Sequence, residues 1–150
     1  MSKDQETTHV ADNVLTNGPN HTEESLQSLM GFRFRPRFNE TINLVMMKQV
    51  MHDVHRENLQ GKTWDDLDPK ITSNEISVSI NEGVKNICKS IREDSRYKYI
   101  VQTFISKFNS QLLGLQTRCI WDESTDRIVF ENFINSYIIC SSQVIFAYYY

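Results

Sequence analysis

Apolar and polar residues alternate along this chain with a period that changes twice. Up to about residue 31, Thr, Asn, Asp, Glu and Ser dominate and large apolar groups are few. Such a segment cannot bury enough surface to offset its ordering entropy, which predicts a disordered tail over residues 1–31 and one folded domain over 32–150. The domain opens on "GFRFRPRF", where Arg33, Arg35 and Arg37 alternate with Phe32, Phe34 and Pro36. This is an extended pattern that Pro36 stiffens. It is expected to lay its Phe residues on the domain and leave the guanidinium groups solvated, rather than to act as a basic docking arm.

Helical spacing follows. Asn39 is the expected N-cap of a first helix, with Ile42, Met46, Val50 and Val54 as its buried stripe, Val45 and Met47 widening it, and Gly61 ending it. Asp68-Pro69 announces a second helix, a cap followed by Pro at the first helical position, with Ile76, Ile80, Val84, Ile87 and Ile91 on one face.

From "RYKYIVQTFISKF" onward the period is two. "LLGLQTRCIWD", "DRIVFEN" and "YIICSSQVIFAYYY" continue it, separated by turn residues at Asn109-Ser110, Glu123 to Asp126 and Asn132 to Ser136. The expected fold is α+β, two N-terminal helices packed on a four-stranded antiparallel meander. Apolar residues occupy both parities. Tyr99, Val101 and Ile105 oppose Ile100 and Phe104, while Ile138, Cys140, Val144 and Phe146 oppose Tyr137, Ile139, Ile145 and Tyr149. Two helices cover one face only, so the other needs a partner, most simply a second copy in a two-fold homodimer.

Composition narrows the function classes. A net charge of -3 lacks the basic footprint of a nucleic-acid binder. The N-terminus has no apolar signal region and no run suits a membrane span, so neither nucleic acid nor membrane is expected as a partner and the chain is expected in the cytosol or nucleus. Cys88, Cys119 and Cys140 are widely spaced and odd in number, which reads as reduced thiols rather than a disulfide or zinc framework.

Each candidate for chemistry has a plainer use. His52 and His55 stand three apart, but without an HExxH pattern or a carboxylate cluster they read as exposed polar-face histidines, with no metal. Arg118 beside Cys119 would favour a thiolate, yet Cys119 shares parity with Leu113, Leu115 and Trp121 and reads as a small inward hydrophobe. Asp122 and Asp126 bracket a turn and read as its caps. No Gly-rich phosphate loop or nucleophile elbow is present, so neither an enzyme nor a cofactor is expected.

The residues "RYKYIVQ", with Arg96-Tyr97-Lys98, "TRCIWDESTD", with Arg118-Cys119-x-Trp121-Asp122, and the closing Phe146-Ala147-Tyr148-Tyr149 resemble the Tctex-type dynein light chains. The lead-in "FRFRPRF" is similar to that of the Tctex-domain-containing branch. The resemblance spans about residues 32 to 150. It implies a non-catalytic homodimer that exchanges the strand Leu113 to Asp122 between protomers, with a dynein intermediate-chain segment adding to that strand's edge in the groove beside the second helix. It further implies partner-binding residues Leu115, Gln116, Thr117, Arg118 and Ile120, and a dimer interface of Leu113, Cys119, Trp121, Tyr137, Ile139 and Ile145. Other light chains and cargo proteins are further partners it implies, in the cytoplasm and cytoskeleton, with ciliary or axonemal dynein favoured through the branch. Gln116-Thr117-Arg118 replace small residues common before the Cys-x-Trp-Asp core, a departure that would alter the peptide preferred. A dynein-independent dimeric adaptor for disordered clients is the alternative.

Overall fold

The computed structural model describes residues 35–91, 95–109 and 114–149. The calls on residues 1–31, on Phe32 to Phe34 and on Leu113 lie outside these. A short 3-10 turn at Phe38–Glu40 precedes helix α1, Leu44–Leu59, and another at Trp64–Asp66 precedes α2, Pro69–Ile91. Three strands follow: β1, Tyr97–Lys107, β2, Arg127–Ile134, and β3, Ile138–Tyr148.

The first helix starts four residues later than its spacing suggested. Asn43, not Asn39, is the cap, its Oδ1 accepting from the Val45 and Met46 amides at 3.1 Å each, because Asn39 is taken up in the 3-10 turn. The buried stripe is consequently Met47, Met51, Val54, His55 and Leu59. Met46 and Val45 face outward, and Phe38 is 96% exposed rather than laid on the domain. Gly61, at φ 76°, takes the left-handed conformation that closes this helix. The second helix follows its sequence pattern: Asp68 Oδ1 accepts from the Lys70 and Ile71 amides at 3.0 and 3.1 Å, and Ile76, Ile80 and Val84 are fully buried.

The sheet is not a meander. Its order is β1-β3-β2, with β1 and β2 each antiparallel to β3. They are therefore parallel to one another on opposite sides of β3, and the chain joining them has to cross a sheet face. The helices hold one face, since α2 packs on β1 and α1 on β2. The connection crosses the other. For that reason the expected fourth strand is missing among the described residues: residues 114–122 run without a ladder instead of pairing.

The core lies between helices and sheet, where Met47, Met51, Leu59, Ile76, Ile80 and Val84 meet Val129, Cys140, Val144 and Phe146. Tyr97 completes one end, edge-on to Phe146 and Tyr148 with ring centroids 6.3 and 5.3 Å away. The β2–β3 turn is tighter than expected. Asn132 remains in the ladder opposite Ser141, and Asn135 Oδ1 closes the turn by accepting from the Tyr137 and Ile138 amides at 2.8 and 2.7 Å.

Candidate partner-binding site

The outer sheet face is built from the residues whose parity points away from the helices. The strand register sets them in rows. Beyond Lys98 and Ala147 at one end of this face, Ile100, Ile145 and Ile128 form the first row, and Gln102, Gln143 and Phe130 the second. Phe104, Ser141 and Asn132 form the third, and Ser106, Ile139 and Ile134 the fourth. Ile100, Phe104, Phe130 and Ile134 are all substantially exposed.

Among its described residues, the crossover hydrogen-bonds to that face through Thr117. Thr117 Oγ1 donates to Gln143 Oε1 at 3.0 Å, and Gln143 Nε2 donates in turn to Gln102 Oε1. Between crossover and sheet lies an open groove of about 1150 Å³, lined by Leu115, Cys119 and Trp121 above and by Phe104, Phe130 and Ile139 below.

The end of the crossover is clamped. Asp126 Oδ2 accepts from the Asp122 amide at 3.1 Å, while its Oδ1 accepts from the Tyr148 amide at 2.8 Å. Asp122 Oδ1 holds the Ser124 amide and hydroxyl at 2.9 and 2.7 Å, and Arg127 Nη1 donates to the Glu123 and Asp126 carbonyls. Thr125 is fully buried beneath, its carbonyl accepting from the Tyr97 hydroxyl at 3.2 Å. Asp122 and Asp126 thus serve the turn, as their spacing suggested. The crossover's exit direction from β2 is set by charge-assisted hydrogen bonds.

Of the residues singled out from sequence, Leu115, Gln116, Thr117, Cys119 and Trp121 come together along the groove with Ile139. Arg118 and Ile120 point away from it and are exposed. Ile145 lies in the first row, and Tyr137 sits at the hairpin, its carbonyl accepting from the Phe108 amide at 2.8 Å. Cys119 is exposed in this chain, not inward, and Trp121 is 41% exposed, because a segment without strand neighbours has no interior side. The described residues lining its groove include no histidine to act as a base. The other two thiols are buried. Burial raises both, Cys140 to about 12, which leaves them protonated and inert.

Among the described residues strand β2 has one ladder neighbour, β3, and none of them pairs with its far edge. The groove beside that edge is bordered by the first helix rather than the second. It is lined by Leu44, Val45, Lys48 and His52 of α1 with Val129 and Glu131 of β2. Glu131 is held there by His52 Nδ1 at 3.1 Å and Lys48 Nζ at 3.8 Å. Sequence spacing gave no hint of this group, since its members lie about eighty residues apart.

The two histidines part company. His52 is on the surface, whereas His55 is buried, with Nε2 2.8 Å from Ser142 Oγ and 3.8 Å from Cys140 Sγ. Desolvation holds its imidazole down at about 4, against a smaller opposing pull from Glu131, so it is neutral. Among the described residues, no group of three or more His, Cys, Asp or Glu is placed to hold a metal ion, and no helix is long and apolar enough to cross a membrane.

Comparison with known proteins gives this arrangement its family. The model of the Tctex-1 family matches residues 41–147. Dynein light chain Tctex-type protein 2B of Danio rerio is 26% identical over 119 residues, covering 79% of this chain and 76% of the relative. Its Homo sapiens namesake is also 26% identical, over 77% of this chain and 78% of the relative. Dynein light chain Tctex-type 5-A of Xenopus laevis is 32% identical over a shorter stretch, half of this chain. The family match runs from the residues before α1 to the end of β3 and so includes both helices, all three strands and the crossover: the chain belongs to the Tctex-1 family.

Proposed function

We propose that this chain is a non-catalytic dynein light chain that pairs with a second copy of itself and holds a dynein intermediate-chain segment by strand addition. The observation that carries this reading is the crossover: residues 114–122 have strand-like alternation but no ladder, while no described residue pairs with the far edge of β2. Two copies satisfy both features at once, each lending Leu113 to Asp122 to the other's β2 edge. The relatives are named as dynein light chains, which supports the motor assignment. An intermediate-chain segment then adds along the lent strand. Leu115, Gln116, Thr117, Arg118 and Ile120 are the residues available to it, with main-chain bonds supplying affinity and side chains supplying selectivity. The place of action is the cytoplasmic cytoskeleton, including the cilium or axoneme.

Sedimentation at micromolar concentration should give twice the chain mass, and a folded monomer would overturn the pairing. Arg118→Glu should then weaken an intermediate-chain peptide on the order of tenfold, a change of about 1.4 kcal/mol, without changing the dimer mass. Unaltered affinity in both Arg118→Glu and Gln116→Lys moves the binding site elsewhere. Pull-downs that recover disordered clients but no intermediate chain favour the dynein-independent adaptor.

A further inference from the structure

The crossover is fastened to the middle of its own sheet. Thr117 Oγ1 donates to Gln143 Oε1 at 3.0 Å, and Gln143 lies on β3, flanked in register by Gln102 of β1 and Phe130 of β2. Gln143 Nε2 donates to Gln102 Oε1, which turns the Gln143 amide so that its oxygen, not its nitrogen, meets the Thr117 hydroxyl. The two glutamines are thus arranged to receive one hydroxyl from a segment that has no ladder of its own.

Apolar packing holds the crossover far less. Leu115 is 47% exposed, Trp121 41% and Ile120 fully so, with the groove open between segment and sheet. Little apolar burial is lost when the segment leaves, so a polar contact decides whether it stays. Its far end is different. Asp126 Oδ2 accepts from the Asp122 amide, and its other oxygen holds the Tyr148 amide at the end of β3. That clamp is a pivot on which residues 114–121 can swing without unfolding β2 or β3.

We propose that Thr117, Gln143 and Gln102 form a latch that keeps the crossover folded back on its own sheet in the unpaired chain, so that opening the latch precedes strand lending and sets the rate at which copies associate. This rests on the strand-lending dimer proposed above and adds a closed state to it. The two uses of the segment exclude each other. A ladder with another chain's β2 places Thr117 in the plane of that chain's sheet, about 4.8 Å from the neighbouring strand, and carries it off Gln143. The bond then exists only in the unpaired chain, and every copy with its latch closed is withheld from pairing.

The test labels the amino terminus of the full chain with donor or acceptor dyes. Exchange of subunits between the two labelled dimers gives the dissociation rate, dilution into the nanomolar range gives the dissociation constant, and their ratio gives the association rate. Gln143→Met and Thr117→Val each remove the bond at nearly constant volume. Each should speed association about fivefold, the worth of one hydrogen bond, and leave the dissociation rate unchanged because the dimer has no latch to lose. The double variant should associate no faster than either single one, since both remove the same bond. Thr117→Ser, which keeps the hydroxyl, should behave as wild type. Wild-type association rates in both single variants overturn the latch, as do effects that add in the double variant or that appear in dissociation, because the residues would then act separately or in the dimer. If Gln143→Met fails to fold, Thr117→Val against Thr117→Ser decides alone. A wild-type chain that stays monomeric at micromolar concentration overturns instead the dimer itself, and with it any role for a latch in pairing.

Discussion

His55 Nε2 on the first helix and Ser142 Oγ in the last strand lie 2.8 Å apart in the buried layer between helix and sheet. The Ser142 hydroxyl also bonds to Thr103 Oγ1 at 3.0 Å, so one polar chain ties α1 to β3 and β1. His55 Nδ1 has no hydrogen-bond partner among the described residues. Buried networks of this kind are demanding, because the low dielectric that strengthens each bond also raises the cost of any charge placed there.

Acid stability follows from that position. In the folded chain His55 titrates at about 4, against the ordinary 6.5, so between those values the unfolded chain binds the extra proton. The histidine's contribution is complete above pH 6.5 and is lost as pH falls toward 4, by roughly 3 kcal/mol at 1.36 kcal/mol per unit. Urea titrations from pH 7 to pH 4 should show His55→Leu losing less stability over this range than wild type. Parallel curves would mean that the imidazole is not desolvated.

Gly83 of α2 faces Val50 of α1, and a Cβ added there would overlap the Val50 side chain. Glycine inside an exposed helix costs about 1 kcal/mol relative to alanine, so on propensity alone Gly83→Ala should stabilise. The overlap with a β-branched side chain outweighs this, by roughly 1–3 kcal/mol. The single variant should melt lower than wild type, and adding Val50→Ala should recover part of the loss. A higher melting temperature for Gly83→Ala alone would show that Val50 yields freely.

Asp126 clamps the end of the crossover to the end of β3 through the Asp122 and Tyr148 amides. Asp126→Ala removes the acceptor for both and should cost on the order of 2 kcal/mol. Amide exchange should speed up at Asp122 and Tyr148 ahead of Val144, which lies in the middle of the ladder. Equal acceleration at all three would point to global destabilisation and not to a local clamp.

Much of this was legible in single residues and their spacing. Asp68-Pro69 states where α2 begins because a cap and a pre-set φ are local properties, and Ile76, Ile80 and Val84 state its buried face because one helix turn relates them. Alternation along β1 and β3 separated the two sheet faces correctly, and the uncovered apolar parity of Ile100, Phe104, Ile139 and Ile145 was visible in it. Even Gln102 and Gln143 stand out there as polar residues on that parity.

The tertiary structure decided the rest, in each case because the determining neighbour is remote in sequence. Whether α1 turns Met46 and Val45 or Met51 and His55 inward depends on the rotation at which it meets β2 and β3, and a histidine is tolerated inside only because Ser142 is there to receive it. Residues 114–122 alternate like a strand, but alternation says only that a segment can pair, not that a neighbour exists. The order β1-β3-β2 sends this segment across a face, and thereby leaves within one chain a strand-like segment without a ladder and a β2 edge that no described residue pairs with.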